Sequence, residues 1–489
     1  MEAVEGVPCR TGICDGVLCI LATLTCVLEI DHFEAQWPAV AHIFFHEGML
    51  SCIAGMLAPD RENPTLEVSP SGLQHAMDAL FRLAVPMSKG NDQEARTASS
   101  VFESILHLLH ESHLMALVAW PATLGGGRQG VAKLASRICG FLQQHVPTPG
   151  AAAVPATASA LSRVMKEEGG MKALLGALDM INTEDWGGPV FLVSRLVLGD
   201  NSQAVAFVSA GGLEAGLMKK LLSVGTPCQI LVDTLLIVSQ LSRVNRDYYE
   251  AIAKAGVLGL LKPLLTHVNG NVRARTCNLI GNLCRHSGFF YAALKSHQMV
   301  PLLIERCSDP DTPTRKFACF AIGNAGFHNQ VLYDELRPAI PALVGLIRNE
   351  PDNKTRANAA GAVGNLVRNS PLLCKEVVAA DSIPALLDLI ASTQDQCGQG
   401  SPVRVALFSL GNICANRECH PVVLMHTPGT LILKLRHSPD AQIQKYAERL
   451  MSKLDGKLDL RSVGGEMDVM TPCGVEVRAT GDGPAPPSS

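Results

Sequence analysis

The sequence has few aromatic and few charged residues. Aromatic side chains make up 4% of the 489 residues and charged side chains 18%, whereas hydrophobic residues make up 47%. A large β-sandwich would carry more tyrosine, tryptophan and phenylalanine, so the shortage of aromatics argues against one. The low charge lets most of the chain bury its surface. At this length we expect several domains or one repeat array, because one compact core would be too large.

An excess of one charge sign is also missing. The formal net charge is -4 at pH 7, so no global positive field indicates binding to nucleic acid or to an anionic membrane. The first apolar run, residues 16–30, follows Glu2, Glu5 and Asp15 instead of basic residues. It is too short and too amphipathic for a membrane span, and it lacks the features of a secretory signal. We therefore expect a cytoplasmic protein.

The 16 cysteines are scattered through apolar segments, and no CxxC pair occurs. This distribution favours buried free thiols in a reducing compartment over a disulfide framework. His107, His110 and His113, and separately Cys414, Cys419 and His420, have a spacing that could suit a metal, but neither cluster supplies a complete ligand set. We expect no metal and no cofactor. The motifs GxSxG, HExxH, GxxxxGK[ST] and the EF-hand loop are absent, so no catalytic residues are predicted.

The second half of the chain repeats itself. Four segments align on a Gly-Asn pair, at spacings of 42, 41 and 47 residues. These periods lie within or at the edge of the range of armadillo and HEAT repeats. The pairs are Gly281-Asn282, Gly323-Asn324, Gly364-Asn365 and Gly411-Asn412. Arginine recurs in phase with them: Arg273, Arg315 and Arg356 stand eight residues before the glycine, and Arg404 stands seven before it.

A second apolar helix precedes each of these segments. Pro301, Pro341 and Pro384 recur at its start, where proline is tolerated because first-turn N–H groups lack an internal partner. Polar breakers such as Ser308-Asp309-Pro310-Asp311 separate the two helices. Gly-rich starts at Gly256, Gly212 and Gly170 extend the pattern upstream more faintly.

The repeats predict an all-α, armadillo/HEAT-type right-handed superhelical solenoid, because a module that cannot cover its own apolar faces must be covered by its neighbours. We expect N-terminal helical repeats or a cap over residues 1–145 and a flexible insertion over 146–160. The repeat array would occupy residues 161–455, followed by a disordered tail over 456–489.

The runs CNLIGNLCRHSGFFYAAL from Cys277, RKFACFAIGNA from Arg315 and ANAAGAVGNLVRNSPLLCK from Ala357 resemble the C-terminal armadillo region of Fused-type serine/threonine kinases. The resemblance covers residues from about 257 to 454. It implies a role in cytoskeletal, ciliary or Hedgehog-type signalling, with a kinesin or another cytoskeletal or signalling protein as partner.

The motifs of a kinase domain are missing from this sequence. A protein kinase needs a Gly-rich loop, a strand lysine, an HRD-type catalytic loop and a DFG motif, and the cluster Gly125-Gly126-Gly127 lacks the required spacing. We therefore expect a non-catalytic protein-binding scaffold. The alternative is the regulatory C-terminal part of a Fused-like kinase whose catalytic domain is not in this chain. A third reading is a structural solenoid that self-associates.

Asn282, Asn324, Asn365 and Asn412 are the leading candidates for partner binding, because an amide can donate to and accept from the backbone of an extended peptide. Alternatively, each asparagine bonds a neighbouring carbonyl and joins the repeats. Arg273, Arg315, Arg356 and Arg404 are candidates for a basic stripe that binds an acidic partner. Alternatively, they pair with acids between repeats such as Asp309, Asp311 and Asp352.

The peptide-binding armadillo pattern W-A-L-G-N is incomplete here. Its tryptophan position holds Asn278, Phe320, Gly361 and Phe408. Without a regular aromatic wall, we do not expect recognition of a nuclear-localisation peptide.

Overall fold

The computed structural model describes residues 7–26, 68–83, 100–107, 127–146, 158–167, 169–393 and 401–455, and the isolated positions 49 and 53. Helices and the turns between them make up these segments, and no β-strand occurs in them. The all-α prediction is thereby confirmed. Residues 147–157 of the expected insertion, the expected tail, His110 and His113 lie outside the described residues.

The described residues fall into two compact units, one within Met1–Glu214 and one within Ala215–Glu476. Among the described residues of the first unit, seven α-helices are identified by their bounds. They are Val7–Thr25, Pro70–Leu83, Gly127–Gln144, Ala158–Glu167, Gly170–Met180, Gly187–Gly199 and Asn201–Ser209. A short 3-10 helix, Thr183–Asp185, lies between two of them. Buried aliphatic and aromatic side chains form the interior of this unit, and the rings of Phe81 and Phe141 stack at 4.3 Å.

The second unit consists of a helix pair followed by five three-helix repeats. The pair is Ala215–Leu221 and Cys228–Val244. Repeat 1 comprises Tyr248–Lys254, Val257–Leu264 and Gly270–Leu283, and repeat 2 comprises Tyr291–Ser296, Met299–Arg306 and Thr312–Ala325. Repeat 3 comprises Tyr333–Leu336, Ile340–Asn349 and Asn353–Leu366, and repeat 4 comprises Cys374–Ala379, Ser382–Ser392 and Pro402–Cys414. Repeat 5 comprises His420–His426, Gly429–Leu435 and Ala441–Leu454.

Local signals set where these helices begin. Pro301, Pro341 and Pro384 lie in the first turn of the second helices, which confirms the prediction from sequence. The third helices of repeats 2 and 3 begin after Asp311 and Asp352, whose carboxylates accept the backbone N–H of Thr314 and Thr355 at 2.9 Å. Such caps satisfy donors that the helix itself leaves unpaired.

A left-handed residue precedes several of the second helices. Gly256 has φ 69°, and the equivalent positions in repeats 2 and 4 are Gln298 with φ 54° and Asp381 with φ 59°. Gly169 and Gly211 in the first unit also have positive φ, at 73° and 87°. Because glycine adopts this conformation without steric cost, the Gly-rich starts noted in the sequence mark the same kind of turn.

The third helices form the central row of the second unit. The row begins with Cys228–Val244, and each third helix packs against its neighbours in the row and against the second helix of its own repeat. Ala441–Leu454, at the end of the row, has a neighbour in it on one side only. Leu279, Ile322, Val363 and Leu410 are fully buried between these layers. The core is therefore continuous from repeat to repeat, as in a solenoid.

Candidate protein-binding surface

The glycines of the first three Gly-Asn pairs lie where two third helices come close together. A Cβ added to Gly364 would stand 2.9 Å from the Cα of Ser409, and one added to Gly323 would stand 3.2 Å from the Cα of Ala362. A larger side chain at these positions would push the neighbouring backbone away. The glycines thus allow the close approach that the adjacent asparagines use.

The asparagine side chains join each third helix to the preceding one. The Nδ2 groups of Asn324, Asn365 and Asn412 donate to the backbone oxygens of Gly281, Gly323 and Gly364, at 2.8, 3.0 and 3.1 Å. At the first position, Asn282 Nδ2 donates to Ser239 Oγ at 2.7 Å. At the last, Lys453 Nζ donates to the backbone oxygen of Gly411 at 2.8 Å. We call this series the amide ladder.

The four asparagines differ in how far their side-chain amides are buried. Asn282, Asn324 and Asn365 are buried, and Asn412 is half-buried. The Oδ1 atom of Asn365 is buried and has no hydrogen-bond partner among the described residues. The N–H side of these amides is therefore committed to the repeat stack, while an acceptor remains at Asn365. Contact with a partner polypeptide stays a prediction.

A row of buried tyrosines meets the same asparagines, and the sequence analysis did not identify it. The hydroxyls of Tyr249, Tyr291 and Tyr333 donate to the backbone oxygens of Asn282, Asn324 and Asn365. The same hydroxyls accept the backbone N–H of His286, His328 and Asn369. The tyrosines stand 42 residues apart, so the alignment that revealed the Gly-Asn pairs also contains this signal. Burial, as the largest cause, raises the pKa of Tyr249 to about 12.

Two of the candidate arginines form ion pairs with the following repeat. Arg273 binds both carboxylate oxygens of Asp309 at 2.8 and 2.7 Å, and Arg315 binds both of Glu350 at 2.7 and 2.9 Å. Burial disfavours the charged form of Asp309, but the hydrogen bonds from Arg273 and from the backbone of Asp311 outweigh it and lower the pKa of Asp309. These two arginines act as bidentate clamps between repeats.

The other two candidate arginines have different surroundings. Arg356 donates to the backbone oxygen of Ile347 at 2.8 Å and reaches Ser392 Oγ at 3.3 Å, and burial lowers its pKa. Arg404 is half-buried at the start of the third helix of repeat 4. The structure therefore identifies Arg273 and Arg315, two of the four candidate arginines, as clamps within the array.

Charge is segregated within the second unit. The third helices of repeats 1 to 4 contain seven basic residues and no acidic residue. The basic residues are Arg273, Arg275, Arg315, Lys316, Lys354, Arg356 and Arg404. Burial lowers the pKa of Lys316; Lys354 and Arg275, in the repeats on either side of it, also lower it, while Asp352 and Asp311 oppose the shift. The seven basic residues lie in the first half of these helices, where Asp311 and Asp352 cap two of the helix starts. We call the exposed part of this row of helices the third-helix surface.

Other kinds of site are not supported by the described part of the chain. Within it, no group of three or more histidine, cysteine or acidic side chains is arranged to hold a metal ion, and no helix has the length and apolar character needed to cross a membrane. Cys277 and Cys284 are fully buried, and burial raises the pKa of both thiols.

Comparisons with known proteins agree with this architecture. A family model described as Armadillo/beta-catenin-like repeat matches residues 337–368, which span most of repeat 3. A crystal structure of an engineered protein aligns with 89% of this chain and 98% of its own, with a TM-score of 0.64 and 17% sequence identity. At that identity the likeness concerns the fold alone.

Two curated relatives are kinases. Serine/threonine-protein kinase TIO of Arabidopsis thaliana is 42% identical over 303 residues, which cover 60% of this chain and 23% of that kinase. Serine/threonine-protein kinase 36 of Pongo abelii is 29% identical over 255 residues, which cover 46% of this chain and 19% of that kinase. The chain thus spans less than a quarter of these relatives. Its homologues are Fused-type serine/threonine kinases, as the sequence resemblance implied, and its repeats form an armadillo-type helical solenoid.

Proposed function

We propose that the second unit is a non-catalytic scaffold that binds an acidic, extended polypeptide segment along the third-helix surface. The observation that carries this proposal is the charge of four successive third helices, which hold basic but no acidic residues. Basic rows on a rigid support attract acidic segments and align them. Because the helices stack side by side, one partner segment can contact several repeats.

Each candidate residue has a distinct role in this proposal. Lys316, Lys354, Arg356 and Arg404 supply charge to the partner, and Arg273 and Arg315 hold successive repeats in register. The asparagines position the surface by joining the third helices, and the half-buried amide of Asn412 is the one that a backbone N–H of the partner can reach. An amide whose donor side is already fixed is a well-oriented acceptor.

Charge reversal tests the proposal on the full chain. The probe is a fluorescent 12-residue peptide of alternating glutamate and alanine, and its affinity is measured by anisotropy at two salt concentrations. The double variant Lys316→Glu/Lys354→Glu is expected to weaken binding about 10-fold or more and to flatten its salt dependence. The matched control is Lys254→Glu/Lys434→Glu, which changes the net charge equally at exposed positions of a first and a second helix.

Two results would contradict the proposal. One is the absence of binding by the unmodified chain, and the other is an equal loss in both double variants. Asn412→Ala adds a separate readout: it is expected to reduce affinity without altering the salt dependence, since it removes a neutral acceptor.

The resemblance to Fused-type kinases supports a proposal about the biological setting. We propose a cytoplasmic scaffold in cytoskeletal, ciliary or Hedgehog-type signalling, with a kinesin or another protein of that setting as partner. Microtubule co-sedimentation of the full chain, with and without candidate partners, tests the cytoskeletal part. Absence from the pellet under every condition would count against it.

The second candidate is a regulatory region of a Fused-like kinase, favoured by the 42% identity to a serine/threonine kinase over 303 residues. It predicts that kinase motifs are encoded in frame before Met1. Under both proposals the chain itself turns over no ATP, so phosphotransfer by purified 1–489 would overturn both.

A further inference from the structure

Three exposed apolar side chains recur at one position of successive repeats. Phe289 and Val331 lie in the turns before the first helices of repeats 2 and 3, and Leu372 lies in the short 3-10 helix Pro371–Leu373 before that of repeat 4. They are 50%, 53% and 47% exposed. They stand 42 and 41 residues apart. A single exposed apolar residue is ordinary on a protein surface, but three at equivalent positions of stacked repeats form a row. We call this row the apolar ridge.

The same turn holds each ridge residue. The backbone N–H of Phe289 donates to Ser287 Oγ at 3.4 Å, that of Val331 to Asn329 Oδ1 at 3.0 Å, and that of Leu372 to Ser370 Oγ at 3.3 Å. Two residues further on, Tyr291, Tyr333 and Cys374 are buried and anchor the turns in the core. The three apolar side chains are thus presented by equivalent, anchored backbone.

The ridge ends at an acidic residue on each side. The equivalent turn of repeat 1 holds Asp247, whose N–H donates to Asn245 Oδ1 at 3.0 Å, and that of repeat 5 holds Glu418, whose N–H donates to Asn416 Oδ1 at 2.9 Å. Both acids are exposed, and Glu418 also pairs with Lys375 at 2.9 Å. The pattern along the edge is therefore acidic, three apolar, acidic.

The distance between neighbouring ridge residues indicates which regular backbone conformation a partner would have. Packed helices lie about 8–10 Å apart, so neighbouring ridge residues are separated by roughly one such layer. Seven residues of an α-helix advance about 10.5 Å and return to nearly the same face. An extended strand repeats a face at about 6.8 or 13.6 Å, which fits the layers less well. A polyproline helix advances about 9.3 Å in three residues, but its known docking sites are aromatic-lined grooves and not a projecting aliphatic row.

We propose that the apolar ridge docks an amphipathic α-helix of another protein, with apolar residues at i, i+7 and i+14 and a basic residue one heptad outside each end. The apolar residues pack on Phe289, Val331 and Leu372, and the basic residues face Asp247 and Glu418. This surface lies on the turns between repeats and is separate from the third-helix surface, so the inference does not depend on the proposed function.

The test uses a designed peptide and the full chain. The probe is a helical peptide of about 29 residues with leucine at the three heptad positions and lysine one heptad beyond each end. A control peptide of the same composition places the leucines five residues apart, so that they point to different faces. Fluorescence anisotropy is expected to show binding of the first peptide and at least about 10-fold weaker binding of the second.

Variants of the ridge complete the test. Each of Phe289→Ser, Val331→Ser and Leu372→Ser is expected to weaken binding about 5-fold, and the triple variant about 100-fold. Val268→Ser is the matched control, because Val268 is 92% exposed in a loop outside the ridge, and it is expected to have no effect. A peptide with glutamate in place of the outer lysines is expected to bind more weakly.

Several outcomes would overturn the inference. They are no binding of the heptad peptide at about 1 mM, equal binding of the two leucine arrangements, tighter binding of a proline-rich extended peptide, or insensitivity to the triple variant. Sedimentation of the chain alone tests whether a second copy of the same chain occupies the ridge. Self-association that the triple variant abolishes would assign the ridge to that second copy. Charge reversal at Lys316 and Lys354 should leave heptad-peptide binding unchanged, which separates this test from that of the proposed function.

Discussion

At the scale of single residues, the buried amide of Asn324 stabilises the contact between two successive third helices. It is 1% exposed and donates to Gly281 at 2.8 Å. We expect Asn324→Ala to lower the free energy of unfolding by about 1–3 kcal/mol, because the backbone oxygen of Gly281 stays buried and loses its hydrogen-bond donor. Urea denaturation measures this change. The half-buried Asn412→Ala is the comparison and should lose less, since water can replace its amide; an equal loss would contradict the buried role.

His328 makes the stability depend on pH. Its Nε2 lies 3.0 Å from the backbone oxygen of Arg285. Burial lowers the pKa of His328, although hydrogen bonds to the backbone oppose the shift. Since the folded state then binds fewer protons than the unfolded one, its contribution is complete above about pH 6.5 and declines as the pH falls below that value.

The corresponding variant is His328→Asn, because the next repeat has Asn369 at the equivalent position, where it donates to Phe327 at 2.7 Å. We expect the loss of unfolding free energy between about pH 7.5 and pH 5.5 to be smaller in this variant than in the unmodified chain. Urea titrations at both pH values measure it. His297→Asn, at an exposed position, is the control, and an identical change in slope there would refute the assignment to His328.

The sequence was sufficient to find these residues, but it was not sufficient to find what each of them contacts. The Gly-Asn pairs and the arginines in phase with them were visible, because repeats place the same residue in the same environment. The partners were not visible, since an amide at a fixed point of one helix can face a ligand or the neighbouring helix. Only the position of Gly281 relative to Asn324 decides between these, and that depends on how two repeats pack. The tyrosine row could have been found at its 42-residue spacing.

At the scale of elements, the last two glycines of the Gly-Asn series have different surroundings. A methyl group at Gly364 would meet the backbone of Ser409 at 2.9 Å, whereas one at Gly411 would have Lys453 Nζ, at 3.9 Å, as its nearest neighbour. We expect Gly364→Ala to destabilise by about 1–3 kcal/mol through overpacking. Gly411→Ala should stabilise by up to about 1 kcal/mol, because alanine is the better helix former. Thermal unfolding of both variants tests the contrast, and a gain at Gly364 would show that the helices are not so close.

Helix starts were also readable from sequence, for physical reasons that are local. Proline, aspartate caps and left-handed glycines act within one turn, so Pro341 and Asp352 mark their helices without tertiary information. Gln298 and Asp381 are exceptions, because both adopt positive φ at the position where repeat 1 has Gly256. Their conformation is imposed by the surrounding turn and is not indicated by residue type.

At the scale of the whole molecule, contacts within the second unit are nearly one-dimensional. Each third helix packs mainly on its two neighbours, so a terminal repeat has support on one side only. We expect amide hydrogen exchange to be slowest in Asn353–Leu366 and to become faster toward Ala441–Leu454. Mass-spectrometric exchange of the full chain measures this gradient. Uniform protection across the repeats would instead indicate a single cooperative block.

The class of fold and the relationship to Fused-type kinases could be predicted from sequence because a strict period constrains both. The boundaries of the compact units could not. The structure divides the described residues near Glu214. Gly212 and Gly256 continue the same faint spacing through this stretch, so the sequence pattern does not change at the division. The apolar ridge was equally hidden, since a hydrophobic residue beside a core tyrosine is assumed to be buried until its exposure is known.

The amide ladder has a mechanical consequence. Each junction between repeats is held by buried apolar contacts and a hydrogen bond of the ladder, with an arginine clamp at two of them, and the junctions are arranged in series from Ser239 to Lys453. Tension applied to the two ends of the array would therefore load every junction equally, and the weakest would open while the others stayed closed. Such an array lengthens stepwise, releasing about 42 residues at a time, and can absorb a pull without losing its remaining binding surface.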